Sequence, residues 1–254
     1  MRSRSAPAGT QSVLRAVSLL KVLSEHGEED LATLTHEVGL ARTTTHRLLA
    51  ALESEDLVTR GPSGVYRLGP GLIQLAMHAG RSDQLRTLAH SHLQSLAADS
   101  GETATLHVLS NGSVLVVDQV FGGQLIGASH EVGISTPLYA TSTGKALLAA
   151  LKPAERAELL RGRLSRLTPQ TVTSKRRLDE HLQLARKRGY ATAVDELEVG
   201  FTAAGAAILD ADGHPLASIS IGGPSARLNG KALSRAGAAV RDAAALLSAT
   251  LGYG

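Results

Sequence analysis

The sequence of 254 residues contains no cysteine and no tryptophan, and its only aromatic residues are four tyrosines and two phenylalanines. Without cysteine, the chain can form neither a disulfide framework nor a thiolate metal site, and it has no cysteine nucleophile. This usage fits a protein of the reducing cytosol. Because aromatic side chains are so scarce, base stacking of the kind used by proteins that bind RNA or single-stranded DNA is disfavoured.

Long apolar runs are missing as well. No stretch approaches the roughly 18 apolar residues that a membrane-spanning helix needs. The basic N-terminus MRSRSAPAGTQ is not followed by the apolar core of a signal peptide. We therefore expect a cytoplasmic protein with no membrane partner, in which residues 1–11 form a flexible basic tail.

The chain has little excess of either charge, with 26 basic and 23 acidic side chains and a net charge of +3. Residues 1–80 contain eight of each sign, so the first part of the chain is neutral as a whole. Overall basicity therefore does not predict a nucleic-acid partner. A DNA-binding surface, if there is one, must come from where the charges are placed.

The first seventy residues have the pattern of three short helices. The first is predicted over residues 12–26 and has an apolar stripe at three- and four-residue spacing, formed by Val13, Ala16, Val17, Leu20 and Leu23. The second is predicted in DLATLTHEVG, with Asp30 as its N-cap and Gly39 at its end. The third is predicted in LARTTTHRLLAALESEDL.

The third predicted helix divides into an apolar and a polar side. Leu48, Leu49 and Leu52 form the side expected to be buried. Short hydroxyl side chains and arginines are suited to contacting base edges and phosphates. The opposite side collects such residues near its N-terminal half, and these are the candidate DNA contacts: Arg42, Thr43, Thr44, His46 and Arg47.

A small hairpin is predicted next, in LVTRGPSGVYRLG. Two β-prone runs, 57–60 and 65–68, flank a Gly-Pro-Ser-Gly turn. Two helices, a turn, a third helix and a hairpin make up a winged helix-turn-helix over residues 12–70, in which Arg60 and Arg67 would flank the DNA backbone. A head of this size could instead dock on another protein.

The rest of the chain predicts an α+β domain. Residues 71–82 read as a linker helix and 85–100 as a further helix, after which the apolar period changes to two in TATLHVLS and SVLVVDQV, joined by Asn111-Gly112. A second hairpin is predicted around Asp212-Gly213, with helices at 143–151, 153–162, 175–189 and 231–251. We expect residues 83–254 to form a sheet framed by helices.

The segment YATSTGKALLA admits several interpretations. It is not a nucleotide-binding loop, since Tyr139 stands where the first glycine is needed and Ala146 where the magnesium-binding hydroxyl is needed. Ser142 and Lys145 match the Ser-x-x-Lys pair of penicillin-binding enzymes, but the companion Ser-Asp-Asn and Lys-Thr-Gly elements are absent. The hydroxyl residues could cap a helix whose first turn binds a carboxylate, or they could only cap it.

Metal and cofactor chemistry have little support. His90 and His92 are close in sequence, but no neighbouring pattern completes a zinc site. We therefore expect no metal, no cofactor and no catalytic residue. Two alternatives stay open, a ligand-binding module with a protein-docking head and a hydrolase that uses Ser142 and Lys145.

Six segments occur in a characteristic order and spacing: SVLRAVSLLKVL, GLARTTTHRLLAALESEDLV, YRLGPGLIQLA, PLYATSTGKALLA, RGYATAVDELEVG and ASISIGGPSARL. Through these segments the chain resembles, from about residue 12 to residue 252, the IclR family of bacterial transcriptional regulators. The resemblance implies a winged helix-turn-helix, a linker helix and a GAF-like effector-binding domain. It also implies a homodimer or homotetramer that binds palindromic double-stranded DNA operators, as repressor or activator, under control of a small metabolite, commonly a carboxylate or an aromatic compound. No enzyme activity is implied, and we expect a repressor.

The same resemblance implies an effector pocket with two sides. By position, one side is formed by Ala140, Thr141 and Gly144, and the other by Ala203, Ser220 and Gly222.

This chain departs from the family's common pattern around that pocket. Ala193 replaces a frequent acidic residue, Val199 a usual proline, Ala203 a frequent cysteine and Gly222 a frequent serine. Each change removes polarity or volume. We therefore expect a roomier pocket that suits a bulkier or more apolar effector than a two-carbon acid.

Overall fold

The computed structural model describes residues 10–72, 75, 81–124 and 132–253. The chain divides into two compact units between residues 83 and 84. Most of the predicted basic tail (1–11) and most of the predicted linker helix (71–82) lie outside the described residues. Within the described ranges, no helix has the length and apolar character needed to cross a membrane.

The first unit contains the three predicted helices and the predicted hairpin. Asp30 caps the second helix, because its Oδ1 accepts a hydrogen bond from the Thr33 amide at 2.8 Å. Gly39 follows that helix with a φ of 61°, as its position predicts. The elements are α1 (Gln11–His26), α2 (Leu31–Glu37), α3 (Arg42–Ser54) and the antiparallel strands β1 (Val58–Arg60) and β2 (Tyr66–Leu68).

The side of α1 that faces the core differs from the predicted apolar stripe. Leu19, which lies outside that stripe, is fully buried together with Leu23, whereas Val13 and Val17 are 63% and 43% exposed. Apolar residues occur in α1 at two overlapping helical spacings, and spacing alone does not tell which of the two faces the core. On α3, Leu49 and Leu52 are buried as predicted, and Leu48 is half-buried.

The second unit is the predicted α+β domain. Its helices are α4 (Arg81–Ser100), α5 (Ser142–Ala150), α6 (Pro153–Leu159), α7 (Lys175–Arg188) and α8 (Gly230–Thr250), with a 3₁₀ turn at Leu138–Ala140. Its strands are β3 (Thr103–Ser110), β4 (Ser113–Val120), β5 (Ser135–Pro137), β6 (Ala191–Val194), β7 (Phe201–Leu209) and β8 (Pro215–Pro224).

These six strands form one sheet in the order β5-β4-β3-β8-β7-β6, with antiparallel neighbours. The hairpin predicted at Asn111-Gly112 joins β3 to β4, and both turn residues have positive φ values, 48° and 78°. The hairpin predicted at Asp212-Gly213 joins β7 to β8. The α+β prediction is therefore confirmed.

Helices cover both faces of the sheet. Residues of α4 and α8 pack on one face, where Leu93, Leu106, Ile219 and Val240 are fully buried. Residues of α5 and α7 pack on the other, around Leu147 and the buried side of α7. On the outer side of α4, Leu88 is 40% exposed.

Helix α5 is buried along almost its whole length, from Ser142 to Ala149. It can approach the sheet closely because Gly205 of β7 lies beneath its first turn. A Cβ atom at Gly205 would stand 3.0 Å from the Thr143 amide nitrogen and 3.1 Å from Ser142 Oγ. The helix is thereby pressed against the sheet at its N-terminal end.

A buried ion pair holds α5 to the segment that follows β6. Lys145 has 1% of its surface exposed, and its Nζ lies 2.5 and 2.6 Å from the two carboxylate oxygens of Glu196. The same Nζ donates to the Thr192 carbonyl and contacts His181 Nδ1, both at 3.3 Å. Burial lowers the pKa of the Lys145 ammonium, and the carboxylate of Glu196 opposes that change. Burial also lowers the pKa of His181, and the charge of Lys145 acts in the same direction.

We expect substitutions of this pair to be strongly coupled. Lys145→Met leaves a buried carboxylate without its counter-charge, and Glu196→Gln leaves a buried ammonium, so each should lower the free energy of unfolding by about 3–5 kcal/mol. The double variant should lose less than the sum of the two, since no uncompensated charge remains. Urea denaturation followed by circular dichroism measures all three.

The matched control is the exposed pair Arg176 and Glu180 on α7, whose charged atoms are 4.0 Å apart. Removing it with Arg176→Met should change the free energy of unfolding by no more than about 1 kcal/mol. Additive effects of Lys145→Met and Glu196→Gln would contradict the proposed coupling.

Candidate functional sites

Helix α3 presents a row of polar side chains on its outer surface. Four of them are exposed: Arg42, Thr43, His46 and Arg47. Arg42 lies one helical turn from His46, and Thr43 lies one turn from Arg47. Thr44 is half-buried, so it borders this row. We call the five candidate residues of α3, Arg42–Thr44 together with His46 and Arg47, the α3 surface.

The charges of α3 are separated along its axis. No acidic residue lies in its first turn, and its N-cap, Ala41, has no side chain that could satisfy the first amides. The acidic residues Glu53 and Glu55 lie at the other end. The arginines therefore lie at the end where the helix dipole is positive, which favours an anionic partner there.

The two arginines of the hairpin differ in their surroundings. Arg60 is paired across the strands with Tyr66, and its guanidinium lies 5.5 Å from the centre of the Tyr66 ring. Arg67 is paired with Thr59 and lies 3.4 Å from the Glu28 carboxylate. Arg60 shares a face of the hairpin with Tyr66, its cross-strand partner. Arg67 follows Tyr66 directly, and neighbouring residues of a strand point to opposite sides, so Arg60 and Arg67 belong to opposite faces of the hairpin.

A cavity of about 30 Å³ lies in the second unit between the sheet and the N-terminal turn of α5. We call it the sheet–helix cavity. Five of the six positions expected to form the effector pocket line it; Gly144 is the exception. The cavity is lined by Thr103, Thr105, His107, Thr136, Ala140, Thr141, Ser142, Thr143, Ala193, Leu197, Phe201, Ala203, Ser220 and Gly222.

Gly144 acts on the shape of the turn and does not line the cavity. A Cβ atom at this position would collide with the backbone of Leu138 in the 3₁₀ turn. The Gly144 amide donates to Thr141 Oγ1 at 3.1 Å, and the Thr141 hydroxyl donates to the Pro137 carbonyl at 3.1 Å. Thr141 is thus the N-cap of α5, and Gly144 lets the preceding turn pack against the helix.

The cavity is rich in hydroxyl groups. Thr105 Oγ1 and Ser220 Oγ are 2.7 Å apart on neighbouring strands. Among the lining side chains that the structure describes, only that of His107 is ionisable. The N-terminal turn of α5 borders the cavity through Ser142 and Thr143, and its dipole brings a partial positive charge. The arrangement suits a small anion with several hydrogen-bond acceptors.

Strand β3 contributes three lining residues that the sequence patterns did not assign to the pocket. Thr103, Thr105 and His107 alternate along this strand and all face the cavity. The polar-apolar alternation of Thr-Ala-Thr-Leu-His is the signal that could have revealed them, because alternate residues of a strand share a face. Thr136, on the edge strand β5, has no comparable signal.

The extra room expected at Gly222 is not free space. The ring of Phe201 occupies it: a Cβ atom at Gly222 would stand 2.7 Å from Phe201 Cζ. The volume lost by having glycine at position 222 is thus filled by a side chain from the neighbouring strand.

The Ser142–Lys145 pair lacks the arrangement of an acylating enzyme. The Lys145 Nζ contacts Glu196, His181 and Thr192, none of which lines the cavity. An ammonium held by a carboxylate at these distances is a poor general base.

No group of three or more His, Asp or Glu side chains is placed to hold a metal ion in the part of the chain that the structure describes. His90 Nδ1 lies 2.8 Å from Asp118 Oδ2, so this histidine has a carboxylate partner within its own unit.

Comparison with known proteins gives matches over both units. A model of the IclR helix-turn-helix domain matches residues 12–62, and one of the bacterial transcriptional regulator IclR C-terminal region matches residues 77–249. The HTH-type transcriptional regulator Rv1719 of Mycobacterium tuberculosis is 39% identical over 91% of this chain and 88% of its own length. The transcriptional repressor IclR of Escherichia coli is 34% identical over 98% of this chain and 93% of its own length.

A solved structure shares the architecture. An IclR homolog from Microbacterium hydrocarbonoxydans, complexed with 4-hydroxybenzoate, superimposes with a TM-score of 0.84 at 26% identity, covering 94% of this chain and 98% of that one.

The packing at Gly144 gives a stability prediction. Gly144→Ala places a methyl group against the Leu138 backbone, so we expect a loss of about 1–3 kcal/mol through overpacking. Gly162→Ala is the matched control, since a Cβ atom there meets nothing within 4 Å and its φ is not positive. Thermal unfolding should show a lower midpoint for Gly144→Ala than for Gly162→Ala; equal midpoints would contradict the close approach described here.

Proposed function

Because the chain belongs to the IclR family of bacterial transcriptional regulators, we propose that it represses transcription by binding a palindromic DNA operator through the α3 surfaces of two subunits. The observation that carries the DNA part of the proposal is the separation of charge along α3. Arginines, hydroxyls and a histidine crowd its exposed N-terminal half, within a unit whose total charge is balanced. Recognition helices of helix-turn-helix proteins contact base edges with their N-terminal residues.

The assignment of repression rests on the relatives. The Escherichia coli relative is a transcriptional repressor and matches almost the whole of this chain. The function so proposed consists of binding, without catalysis, and it is exercised in the cytoplasm, where the operator is.

We place the effector in the sheet–helix cavity. The cavity borders the positive end of α5 and is surrounded by hydroxyls, which supports a carboxylate ligand. The related structure from Microbacterium hydrocarbonoxydans contains 4-hydroxybenzoate, a carboxylate with an aromatic ring. A small carboxylate or aromatic metabolite is therefore the proposed effector.

A homodimer or homotetramer is the proposed assembly. Palindromic operators require two identical heads. The exposed apolar side chains of α1, which include Val13, Leu14 and Val17, offer apolar surface for contact with a second copy. The effector would bind one arrangement of the effector domains more tightly than another and thereby change the spacing of the heads.

Operator binding should depend on the α3 surface. Arg42→Ala combined with Arg47→Ala should weaken binding at least tenfold in a gel-shift titration, because each lost base contact costs roughly 1–3 kcal/mol. A control with the same loss of charge, Arg176→Ala combined with Arg177→Ala on α7, should leave the affinity within roughly twofold. Undiminished operator binding by the α3 variant would rule out α3 as the recognition helix.

Effector binding should be separable from DNA binding. Ala203 lines the cavity and is buried, so Ala203→Leu should fill it and abolish the heat released on titration with 4-hydroxybenzoate or benzoate. Ala98→Leu, at an exposed position of α4, is the control. Both variants should still shift the operator, and an unchanged calorimetric titration for Ala203→Leu would place the effector elsewhere.

A further inference from the structure

Phe201 and Gly222 form a matched pair at the wall of the sheet–helix cavity. Phe201 is the first residue of β7, and Ala203, two residues on, pairs with Gly222 of β8. The Phe201 ring extends over the Gly222 backbone, where a Cβ atom would come within 2.7 Å of Cζ and 3.2 Å of Cε2. The ring thus occupies the volume of the side chain that position 222 lacks.

Backbone conformation does not explain the glycine at position 222. Gly222 is not among the glycines of positive φ in the described chain, and it lies within the regular pairing of β8 with β3 and β7. Glycine in the middle of a strand costs stability relative to residues with a side chain. The physical reason for a glycine here is therefore space, and the ring of Phe201 uses that space.

The floor around the ring consists of small side chains. Ala193, Ala203, Gly222 and Thr103 are paired in register across β6, β7, β8 and β3. All four line the cavity. A flat apolar group could lie on this floor, provided that the ring moves away from Gly222.

The backbone of Phe201 is held while its side chain reaches the surface. Its carbonyl accepts from the Asp195 amide at 2.9 Å, and its amide donates to the Glu198 carbonyl at 3.2 Å. The side chain is half-buried. A rotamer change of the ring requires no change in the strand backbone, and it would enlarge the cavity beyond its present volume of about 30 Å³.

From this geometry we propose that Phe201 is the specificity-determining residue of the effector site, where its ring leaves Gly222 to stack on the flat apolar body of an aromatic carboxylate. The proposal rests on the function proposed above and adds a chemical class. The carboxylate lies at the first turn of α5, and the aromatic ring lies between Phe201 and the small-residue floor. An acid of two or three carbons cannot displace the ring and gains no stacking contact.

Calorimetric titration with benzoate and with glyoxylate tests the selectivity. The wild-type protein should bind benzoate more tightly than glyoxylate. Phe201→Ala should weaken benzoate about tenfold, the size of an aromatic contact, and leave glyoxylate within roughly twofold. Phe201→Leu, which keeps an apolar side chain without the flat ring, should also weaken benzoate. Unchanged operator binding shows that each variant is folded.

A cycle with Gly222 tests the pairing. Gly222→Ser alone should weaken benzoate, because the serine Cβ and the ring compete for one position. Adding Phe201→Ala to Gly222→Ser should relieve that conflict, so the second substitution should cost less benzoate affinity there than in the wild-type background. Equal losses in both backgrounds would show that the two residues act independently and would overturn the pairing.

The absence of tryptophan from the chain allows a direct optical measurement. Phe201→Trp introduces a single tryptophan at the cavity wall, and its fluorescence should change in a saturable manner with benzoate. Phe121→Trp, at a side chain that is 66% exposed, should show no saturable change. Benzoate could bind and alter operator binding while the Phe201→Trp fluorescence does not change and Phe201→Ala keeps the wild-type preference for benzoate over glyoxylate. That result would overturn the role of Phe201 and leave the proposed function standing. If neither acid binds the wild-type protein, the aromatic class and the effector function both fail.

Discussion

The sheet–helix cavity depends on the buried ion pair between Lys145 and Glu196. Lys145 belongs to the helix whose first turn borders the cavity. Glu196 belongs to the connection between β6 and β7, which also supplies Leu197 to the cavity and leads into Phe201. The Thr171 hydroxyl donates to the carbonyl of Glu196 at 2.8 Å, so the segment is fixed from a second side. Since a buried charge without its partner is costly, neither wall of the cavity can move far without the other.

In the first unit, the proposed DNA binding depends on how charge is distributed along α3. Its total charge is balanced, yet the arginines of α3 stand at the positive end of the helix dipole and the acidic residues at the opposite end. The buried Leu49 and Leu52 set which side of α3 is exposed. A neutral unit can therefore present a strongly polarised surface, and this is why the net charge of the chain carries no information about DNA.

Features with a local cause could be predicted from the sequence. The Asp30 cap, the Asn111-Gly112 turn and the glycine that ends α7 each depend on residues within one turn of chain, and the structure has all three. The resemblance to the family pointed to six pocket positions, and five of them line the cavity. Contacts distant in sequence could not be predicted: Lys145 finds its carboxylate 51 residues away, and Phe201 fills the space at Gly222 from another strand. The orientation of α1 was also undetermined, because two overlapping apolar spacings compete.

Strand β8 separates two environments that differ in what they tolerate. Ser220 and Gly222 face the cavity, while Ile219 and Ile221 are buried against the helices on the opposite side of the sheet. Under the proposed function, mutation at positions 220 and 222 alters ligand preference while the packing that keeps the domain folded stays intact. The alternation of the strand would then give the protein a route by which its descendants acquire responses to new metabolites in single steps.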